Sequence, residues 1–482
     1  MLKSLFKDSF IYSISSFLSK GIGFILLPFY TNVLSPSDYG VMDMIAIFIV
    51  LVTNISSIQI NQAMFRYYAS AKSLQKKTAY FSTTFFFYLT IYSIVTLLLL
   101  LYNQEVSFFL FGTDSYFNII ILASLNLYIS SLYFILVSLY RLNFKAKRFA
   151  LLSMFNTFFT AIAIVFMVLY YDLGLLGIFL GQLIINIVFL CYVIIKLFHN
   201  IRLTLVSFKL LKQMLKFGIP LVPTVLILLA MQYIDRIMIT KSIGIDELGL
   251  YAVATKISSV IGLILTGFQL AWGPYIFNKY HKPETNKLVS ELFYYINIIS
   301  LILISFLVLF SSNIILFLTN DIFYKAYTII PILATSTLFF FIGSSFSIGF
   351  AIANKNEIQT LIYVFTIGIN IFLNYFLINL YGIFGAAVST MISFFISSIL
   401  NLYFSNKYYA VSYKINKLSI YIINFIFIAF IYTFLLENDL TIYNIMIKLL
   451  LFLISWTLLL ILFEKQALFK LLKLRQSRTR LD

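Results

Sequence analysis

The sequence predicts an all-α polytopic membrane protein of about fourteen transmembrane helices, arranged as two six-helix lobes followed by two C-terminal helices. Composition is the first reason: 62% of the 482 residues are hydrophobic and 11% are charged, too few polar groups for a water-exposed surface. The second is that the apolar residues form long unbroken runs, without the alternation of barrel strands. Backbone groups in lipid must be satisfied within helices or closed barrels, so these runs predict helices.

Apolar runs separated by polar breaks are each long enough to cross a bilayer, which takes about 20 helical residues. The first run follows Lys3 and Lys7, as in a signal peptide, but its length, its Pro28 and the lack of a clear cleavage site predict an uncleaved span. An even number of spans places both termini on one side of the membrane. The spans are 9–34, 41–64, 79–102, 116–140, 150–170, 175–197, 217–240, 249–277, 288–310, 329–353, 358–378, 382–404, 418–436 and 444–463.

Basic residues are concentrated on one side of this arrangement. The termini and every second loop hold 28 of the 34 Lys and Arg residues, so the positive-inside rule predicts that both termini are cytoplasmic. A net charge of +17 would suggest a nucleic-acid partner in a soluble protein. Here the distribution predicts membrane orientation and contact with membrane lipids instead, with no nucleic-acid partner.

An internal similarity suggests how the spans are grouped. Shifting Ser35–Gly40 by 209 positions places it on Gly244–Gly249, and the flanking spans superpose. The alternative is chance similarity between two apolar stretches. We expect an N-lobe at 1–198, a cytoplasmic interfacial linker at 199–216, a C-lobe at 217–404, and spans 13 and 14 with a basic tail at 405–482. The linker is basic and amphipathic, which favours a helix lying on anionic lipid.

Several short runs carry a resemblance to a known family. They are Pro220 with Pro223, Ile234-Asp235-Arg236, Gly249-Leu250-Tyr251 and Ala271-Trp272-Gly273-Pro274-Tyr275, and, nearer the N-terminus, Leu27-Pro28, Leu34–Gly40 and Ala63–Tyr68. Together they resemble the bacterial polysaccharide flippases of the multidrug/oligosaccharidyl-lipid/polysaccharide exporter superfamily. The resemblance implies translocation of undecaprenyl-diphosphate-linked oligosaccharide across the bacterial cytoplasmic membrane, for O-antigen or capsule. Polysaccharide polymerase and chain-length machinery are the implied protein partners.

The first site candidates are ionisable residues inside predicted spans, namely Lys20, Asp235, Arg236 and Lys256. Such a group costs about 2.5–3.5 kcal/mol in hydrocarbon, so it usually faces a wet cavity or a partner. Lys20 lies roughly 17 Å along the first span at about 1.5 Å per residue, near the midplane. Small and polar neighbours suit a cavity-facing side, so we expect Lys20 to contact an anionic substrate; the alternative is a buried ion pair.

Asp235 and Lys256 are expected to pair across the hairpin of spans 7 and 8. Adjacent residues on a helix point about 100° apart, so this pairing leaves Arg236 free to line a basic cavity with Lys256. Two alternatives stay open: the charges only stabilise the hairpin, or Asp235 binds a coupling proton or cation. Lys20, Arg236 and Lys256 against Asp235 give three positive charges to one negative, which favours an anionic substrate.

Further candidates lie on spans 2, 7 and 8. Arg66 is expected to meet a phosphate at the cytoplasmic end of span 2, since its fork suits phosphate bidentately; an ordinary positive-inside anchor is the alternative. Amides and aromatics at helical spacing are expected to contact sugars, with interhelical hydrogen bonding as the alternative. These are Gln59, Gln62, Gln232, Gln269 and Trp272.

The sequence contains no pattern that predicts an enzyme. We find no nucleophile with a base and acid, no Gly-rich phosphate loop, no metal-ligand cluster and no cofactor motif. The single Cys191 cannot form an intramolecular disulfide. We therefore expect a flippase that works by alternating access. The alternatives are a drug or cation exporter of the same superfamily, a lipid II flippase, and, disfavoured by the short outer loops, a membrane glycan polymerase or transferase.

Overall fold

The computed structural model describes residues 21–279, 283–435 and 441–478, and the side chains within 21–262, 265, 285–432 and 441–464. Every element in these ranges is helical, which confirms the all-α membrane fold. The first half of the chain forms α1 (Gly21–Val33), α2 (Pro36–Ser57), α3 (Ile60–Ser70), α4 (Leu74–Leu101), α5 (Asn103–Phe111), α6 (Phe117–Leu142), α7 (Ala146–Leu169) and α8 (Gly174–Leu197). The second half forms α9 (Phe208–Gly218), α10 (Val222–Ser242), α11 (Ile245–Lys279), α12 (Pro283–Leu318), α13 (Ile330–Phe346), α14 (Ile348–Ile352), α15 (Asn356–Asn406), α16 (Ile415–Leu435) and α17 (Ile442–Arg478).

Within the described ranges, 11 helical stretches are long and apolar enough to cross a bilayer. Each predicted span overlaps one of the helices, and α15 contains two of them. Its 51 residues are interrupted at Gly382, whose φ of 60° breaks the helix between predicted spans 11 and 12. Glycine adopts this left-handed conformation without the steric cost that a β-carbon brings. The boundaries of the two predicted lobes stay predictions.

The helix α2 starts with a complete capping box. Ser35 precedes the helix, its hydroxyl accepts a hydrogen bond from the backbone N–H of Asp38, and the Asp38 carboxylate accepts one from the backbone N–H of Ser35. Pro36 occupies the first turn, where its missing N–H costs nothing. These residues fix where α2 begins, five residues before the predicted start of span 2.

Predicted span 2, expected as one helix over 41–64, is two helices. Ile58 and Gln59 have φ values of 46° and 52° and separate α2 from α3. A β-branched residue such as isoleucine is rarely found in this conformation. The expectation of an unbroken helix was therefore wrong, and the break reorients the segment that carries Arg66.

The predicted interfacial linker contains two short 3-10 turns followed by α9. This helix packs against α3 and α4, and Tyr80 on α4 donates a hydrogen bond to Gln213 at 3.2 Å. Met214 is completely buried at the same contact. The connection between the halves of the chain is thus docked on the first half.

The start of α2 and the start of α11 meet through a reciprocal contact of two glycines. A β-carbon on Gly40 would overlap the carbonyl oxygen of Ile245, and one on Gly249 would overlap the carbonyl oxygen of Pro36. Residues 40 and 249, like 36 and 245, are 209 positions apart, so each half supplies the same pair of positions. This is the form that a contact about a two-fold axis takes.

We call the end of the bundle at which α2 and α11 begin the outer end, and the end at which α4 and α10 begin the inner end. The names follow the predicted orientation, which stays a prediction. The halves also touch at the inner end, where a β-carbon on Gly218 would overlap the carbonyl oxygen of Ile58. Contacts between the halves are therefore present at both ends of the bundle.

The last two helices are attached to α12 by buried polar groups. Tyr294 on α12 donates a 2.6 Å hydrogen bond to Glu464 on α17. Closer to the outer end, the ammonium of Lys448 on α17 donates to the side-chain oxygen of Asn313 on α12 at 3.3 Å. Lys448 is completely buried.

Candidate functional site

A cavity of about 810 Å³ lies between helices of the two halves. The first half contributes Gly23 and Phe24 from α1 and Thr157 from α7. The rest of the wall comes from α10, α11, α13 and α15 in the second half. A cavity of this size, with a largely apolar wall that carries several polar and charged groups, is large enough for a small ligand or part of a larger one.

Lys256 extends from α11 across the cavity to α1. Its ammonium nitrogen would lie 3.2 Å from a β-carbon on Gly23, so the lysine approaches the α1 backbone closely at this glycine. The side chain is half-buried, and none of the ion pairs among the described residues includes it. A cation in this position is free to bind an anion that enters the cavity.

Arg236 on α10 pairs with Asp43 on α2 across the boundary between the halves. The guanidinium Nη1 lies 3.4 Å from the carboxylate, and the two side chains are 12% and 23% exposed. The geometry is loose, since neither Arg236 Nε nor that carboxylate oxygen makes a hydrogen bond within the described part of the chain. The expectation that Arg236 is free was wrong, because Asp43 lies opposite it.

Asp235 lies among neutral partners within the second half. The hydroxyl of Tyr251 on α11 donates to its carboxylate at 2.5 Å, and that of Thr390 on α15 donates at 3.4 Å. The backbone N–H of Arg236 donates to the other oxygen at 2.8 Å. The expected ion pair between Asp235 and Lys256 is not formed, because Lys256 points toward α1 instead.

The charge of the site is more balanced than the sequence count indicated. Arg236 and Lys256 oppose two carboxylates, Asp43 and Asp235, in the described residues around the cavity. Asp43 was missed, although a carboxylate inside an apolar run is the same signal that identified Asp235. Lys20, which would restore a positive excess, lies outside the described residues.

Hydroxyl and amide groups complete the wall near these charges. Gln232 on α10 is exposed to the cavity. Hydroxyls are contributed by Ser258 and Ser259 on α11 and by Ser336 and Thr337 on α13. Such groups both donate and accept hydrogen bonds, so the wall can bind hydroxyl-rich ligands as well as anions.

The other predicted residues lie away from this wall. Arg66 is exposed at the inner end, with its guanidinium 4.7 Å from the centre of the Phe217 ring. Gln59 is buried at the break after α2 and donates to Asn54, and Gln62 donates to Gln59. The side chains of Gln269 and Trp272 lie outside the described residues. Among the predicted sugar contacts whose side chains the structure describes, Gln232 is the one that lies at the cavity.

The described residues contain no cluster of three or more histidine, cysteine or acidic side chains suited to a metal ion. What the site offers is charge and hydrogen bonding. An anion fits beside Lys256, and polar uncharged groups fit along the hydroxyl wall. The arrangement is suited to binding a ligand between two halves that can move relative to each other.

The sequence matches the family described as polysaccharide biosynthesis protein over residues 5–280. It also matches the MatE family over residues 220–376. No curated protein matches the chain. The first match includes α1, α2, α10 and every residue of the predicted site.

Solved structures show the same fold. The lipid II flippase MurJ, in an inward closed conformation, is 17% identical, with a TM-score of 0.73 and coverage of 95% of this chain and 100% of MurJ. A multidrug resistance transporter of the MATE family, in an inward-facing conformation, is 14% identical, with a TM-score of 0.66 and coverage of 82% and 94%. A superfamily transporter from Pyrococcus furiosus with a reversed-polarity pocket is 13% identical, with a TM-score of 0.54 and coverage of 83% and 95%.

At these identities the structural similarities concern the fold alone. The match to the first family covers more than half of the 482 residues. It confirms the resemblance found in the short sequence runs. The chain therefore belongs to the polysaccharide biosynthesis protein family and is a transporter of the multidrug/oligosaccharidyl-lipid/polysaccharide exporter superfamily.

Proposed function

We propose that this protein flips undecaprenyl-diphosphate-linked oligosaccharides from the cytoplasmic to the outer leaflet of a bacterial membrane, for O-antigen or capsule assembly. One observation carries the proposal. The Lys256 ammonium extends into a cavity between the two halves and takes part in none of the ion pairs among the described residues. An unpaired cation at this depth is costly unless a ligand anion binds it.

The diphosphate of the substrate binds Lys256 first and Arg236 second. Arg236 is already paired with Asp43 at 3.4 Å, so a phosphate must compete with that carboxylate. Lys20 is proposed as a third phosphate contact from its position in the sequence. The glycan occupies the remaining, uncharged part of the cavity while the lipid tail stays in the bilayer.

Transport proceeds by alternating access. The two halves touch at the outer end through Gly40 and Gly249, and at the inner end through Gly218 and Ile58. Opening the inner contact while the outer one holds admits the substrate, and the reverse releases it. Arg66, exposed near the inner contact, is proposed to meet the phosphate on entry.

A second candidate is a cation or drug exporter of the same superfamily. The match to the MatE family over residues 220–376 favours it, as does the Asp235 carboxylate in the cavity wall. Asp235 would then bind the cation or a coupling proton. A lipid II flippase is a close variant of the first proposal, and a glycan polymerase or transferase has no observation in its favour.

The cellular setting follows from the same proposal. The protein lies in the bacterial cytoplasmic membrane with both termini cytoplasmic, as the basic residues predict. Membrane lipids surround it, and polysaccharide polymerase and chain-length machinery act on the exported product. It transports its substrate without chemical conversion and needs no cofactor.

The test measures the sidedness of labelled polyprenyl-diphosphate oligosaccharide in proteoliposomes. Translocation by the intact protein, loss with Lys256→Ala and normal transport with Lys147→Ala are expected. Lys147 is an exposed lysine at the inner end of α7 and serves as the matched control. Absence of movement for any lipid-linked glycan, with uptake of a small cation that requires Asp235, would favour the exporter instead. Faster movement of lipid II than of the oligosaccharide lipid would identify the protein as a lipid II flippase.

A further inference from the structure

We propose that four amide side chains of the first half form the glycan-binding part of the site, opposite the charged residues of the second half. The amide row consists of Asn126 on α6, Asn156 on α7, and Gln182 and Asn186 on α8. The inference rests on the proposed function and extends it, because it divides the substrate between two walls: phosphate on α10 and α11, sugar on α6 to α8.

The four side chains form one continuous chain of hydrogen bonds across three helices. Asn156 donates to Asn186 at 3.1 Å, and Asn186 donates to Asn126 at 2.7 Å. Asn126 in turn donates to Gln182 at 3.3 Å. Each amide is thereby held in a fixed orientation before any ligand arrives, which lowers the cost of binding.

The row keeps unused hydrogen-bonding capacity at both ends. An amide offers two N–H donors and an oxygen with two acceptor positions. Within the described part of the chain, no hydrogen bond uses the oxygen of Asn156 or the nitrogen of Gln182. Neither atom is among the buried polar atoms that lack a partner, so both reach accessible space.

The polar side of α7 indicates which space the Asn156 oxygen and the Gln182 nitrogen reach. Ser153, Asn156, Thr157 and Thr160 recur at helical spacing on one side of the helix. Thr157, next to Asn156, lines the central cavity. The opposite side carries Phe155, Phe158, Phe159 and Ile162, which are all exposed, as expected for a surface that faces lipid. Asn156 therefore lies on the same polar side of α7 as the cavity-lining Thr157, away from the exposed aromatic side, although the amides themselves stand behind that wall.

The chemistry of this wall suits an uncharged carbohydrate. No charged residue occurs at 117–140, 149–171 or 173–195, which cover nearly the whole of the three helices. Sugar hydroxyls donate and accept hydrogen bonds, as amides do, whereas a phosphate is bound best by cations. Since the cations are on the other wall, a substrate with a phosphate end and a sugar end fits between them in one direction.

A binding experiment tests the assignment apart from transport. The purified full-length protein is titrated with the phosphate-free glycan that mild acid releases from the lipid-linked oligosaccharides of its native cell. Asn156→Leu and Gln182→Leu are each expected to weaken binding about tenfold, the loss expected for a hydrogen-bonded contact. Lys147→Ala, at an exposed lysine outside the cavity wall, is expected to bind this glycan like the intact protein.

Several outcomes would overturn the assignment. They are the absence of glycan binding by the intact protein, unchanged binding by both amide variants, and equal weakening in Lys147→Ala. Asn156→Gln keeps the amide and is expected to restore part of the binding, whereas a purely structural role would show as lowered thermal stability in the leucine variants. The proposed function fails separately, if the intact protein binds the glycan and yet moves no lipid-linked oligosaccharide in proteoliposomes.

Discussion

Arg236 on α10 lies 3.4 Å from Asp43 on α2, so an ion pair joins the two halves of the chain beside the central cavity. The pair changes the roles expected of the charges that the spans contain. It neutralises Arg236 and leaves Lys256 outside the ion pairs of the described residues. Under the proposed function it also links substrate binding to the contact between the halves, because a phosphate that binds Arg236 must compete with Asp43.

Removal of Arg236 alone is expected to destabilise the protein more than removal of the pair. Arg236→Leu leaves the Asp43 carboxylate with little exposure and no cation, at a cost of about 3 kcal/mol, the low end for breaking a buried ion pair. The double variant Arg236→Leu/Asp43→Leu removes both charges and is expected to recover most of that loss. Thermal unfolding in detergent measures the difference; equal stability of the single and double variants would contradict the pairing.

Alanine at Gly40 or Gly249 is expected to hold the outer contact open. Either β-carbon would overlap a carbonyl oxygen of the opposite helix, and backbone cannot move aside as a side chain does. With Cys191→Ser and a cysteine at Thr337 in the cavity wall, an impermeant maleimide added outside should label these variants faster. Gly368→Ala is the control, since a β-carbon there meets nothing within 4 Å. Unchanged labelling would show that this contact does not close the outer end.

Gly218→Ala should have the opposite effect. Its β-carbon would overlap the carbonyl oxygen of Ile58 at the inner end, so the halves could not close there. The same cysteine at Thr337 is then expected to react faster with maleimide added from the inner side of inverted vesicles, with Gly368→Ala again as control. Faster labelling from the outer side instead would be inconsistent with the assigned ends.

Tyr251→Phe is expected to destabilise the protein through Asp235. The lost hydroxyl donates at 2.5 Å to a carboxylate that is 6% exposed, and a hydrogen bond to a charged group contributes about 1.5–3 kcal/mol. Thr390→Val removes a longer bond of 3.4 Å and should cost less. Thermal unfolding ranks the two variants. A larger effect of Thr390→Val would show that Tyr251 is not the main partner.

The apolar spans could be predicted from the sequence because their length is set by the bilayer. The break at Ile58 and Gln59 could not, since neither residue favours the left-handed conformation that both adopt. The break lies against the end of α9, at Gly218. The glycine at position 218, which allows the approach, gives no local sign of its partner 160 residues earlier.

Only part of the site could be predicted from the sequence, and the reason is similar. Charges inside apolar runs identify Arg236 and Lys256 as residues near a cavity, whichever partner they have. Their partners depend on which helices meet, and α2 meets α10 across the chain midpoint, so local spacing suggested Lys256 for Asp235 where the structure has Tyr251. The amide row was passed over because its members are uncharged and occur on three separate helices.

The reciprocal glycine contact gives the two halves equivalent positions around one axis, but the residues that line the cavity are not equivalent. Counting 209 residues back from Arg236 and Lys256 reaches Leu27 and Ile47, and neither carries a charge. Within the described residues, the duplicated frame therefore encloses a cavity whose two cations, Arg236 and Lys256, both lie on the second copy. Under the proposed function, an elongated cargo is expected to meet different chemistry at its head and its tail, so that the direction in which it enters matters as well as its composition.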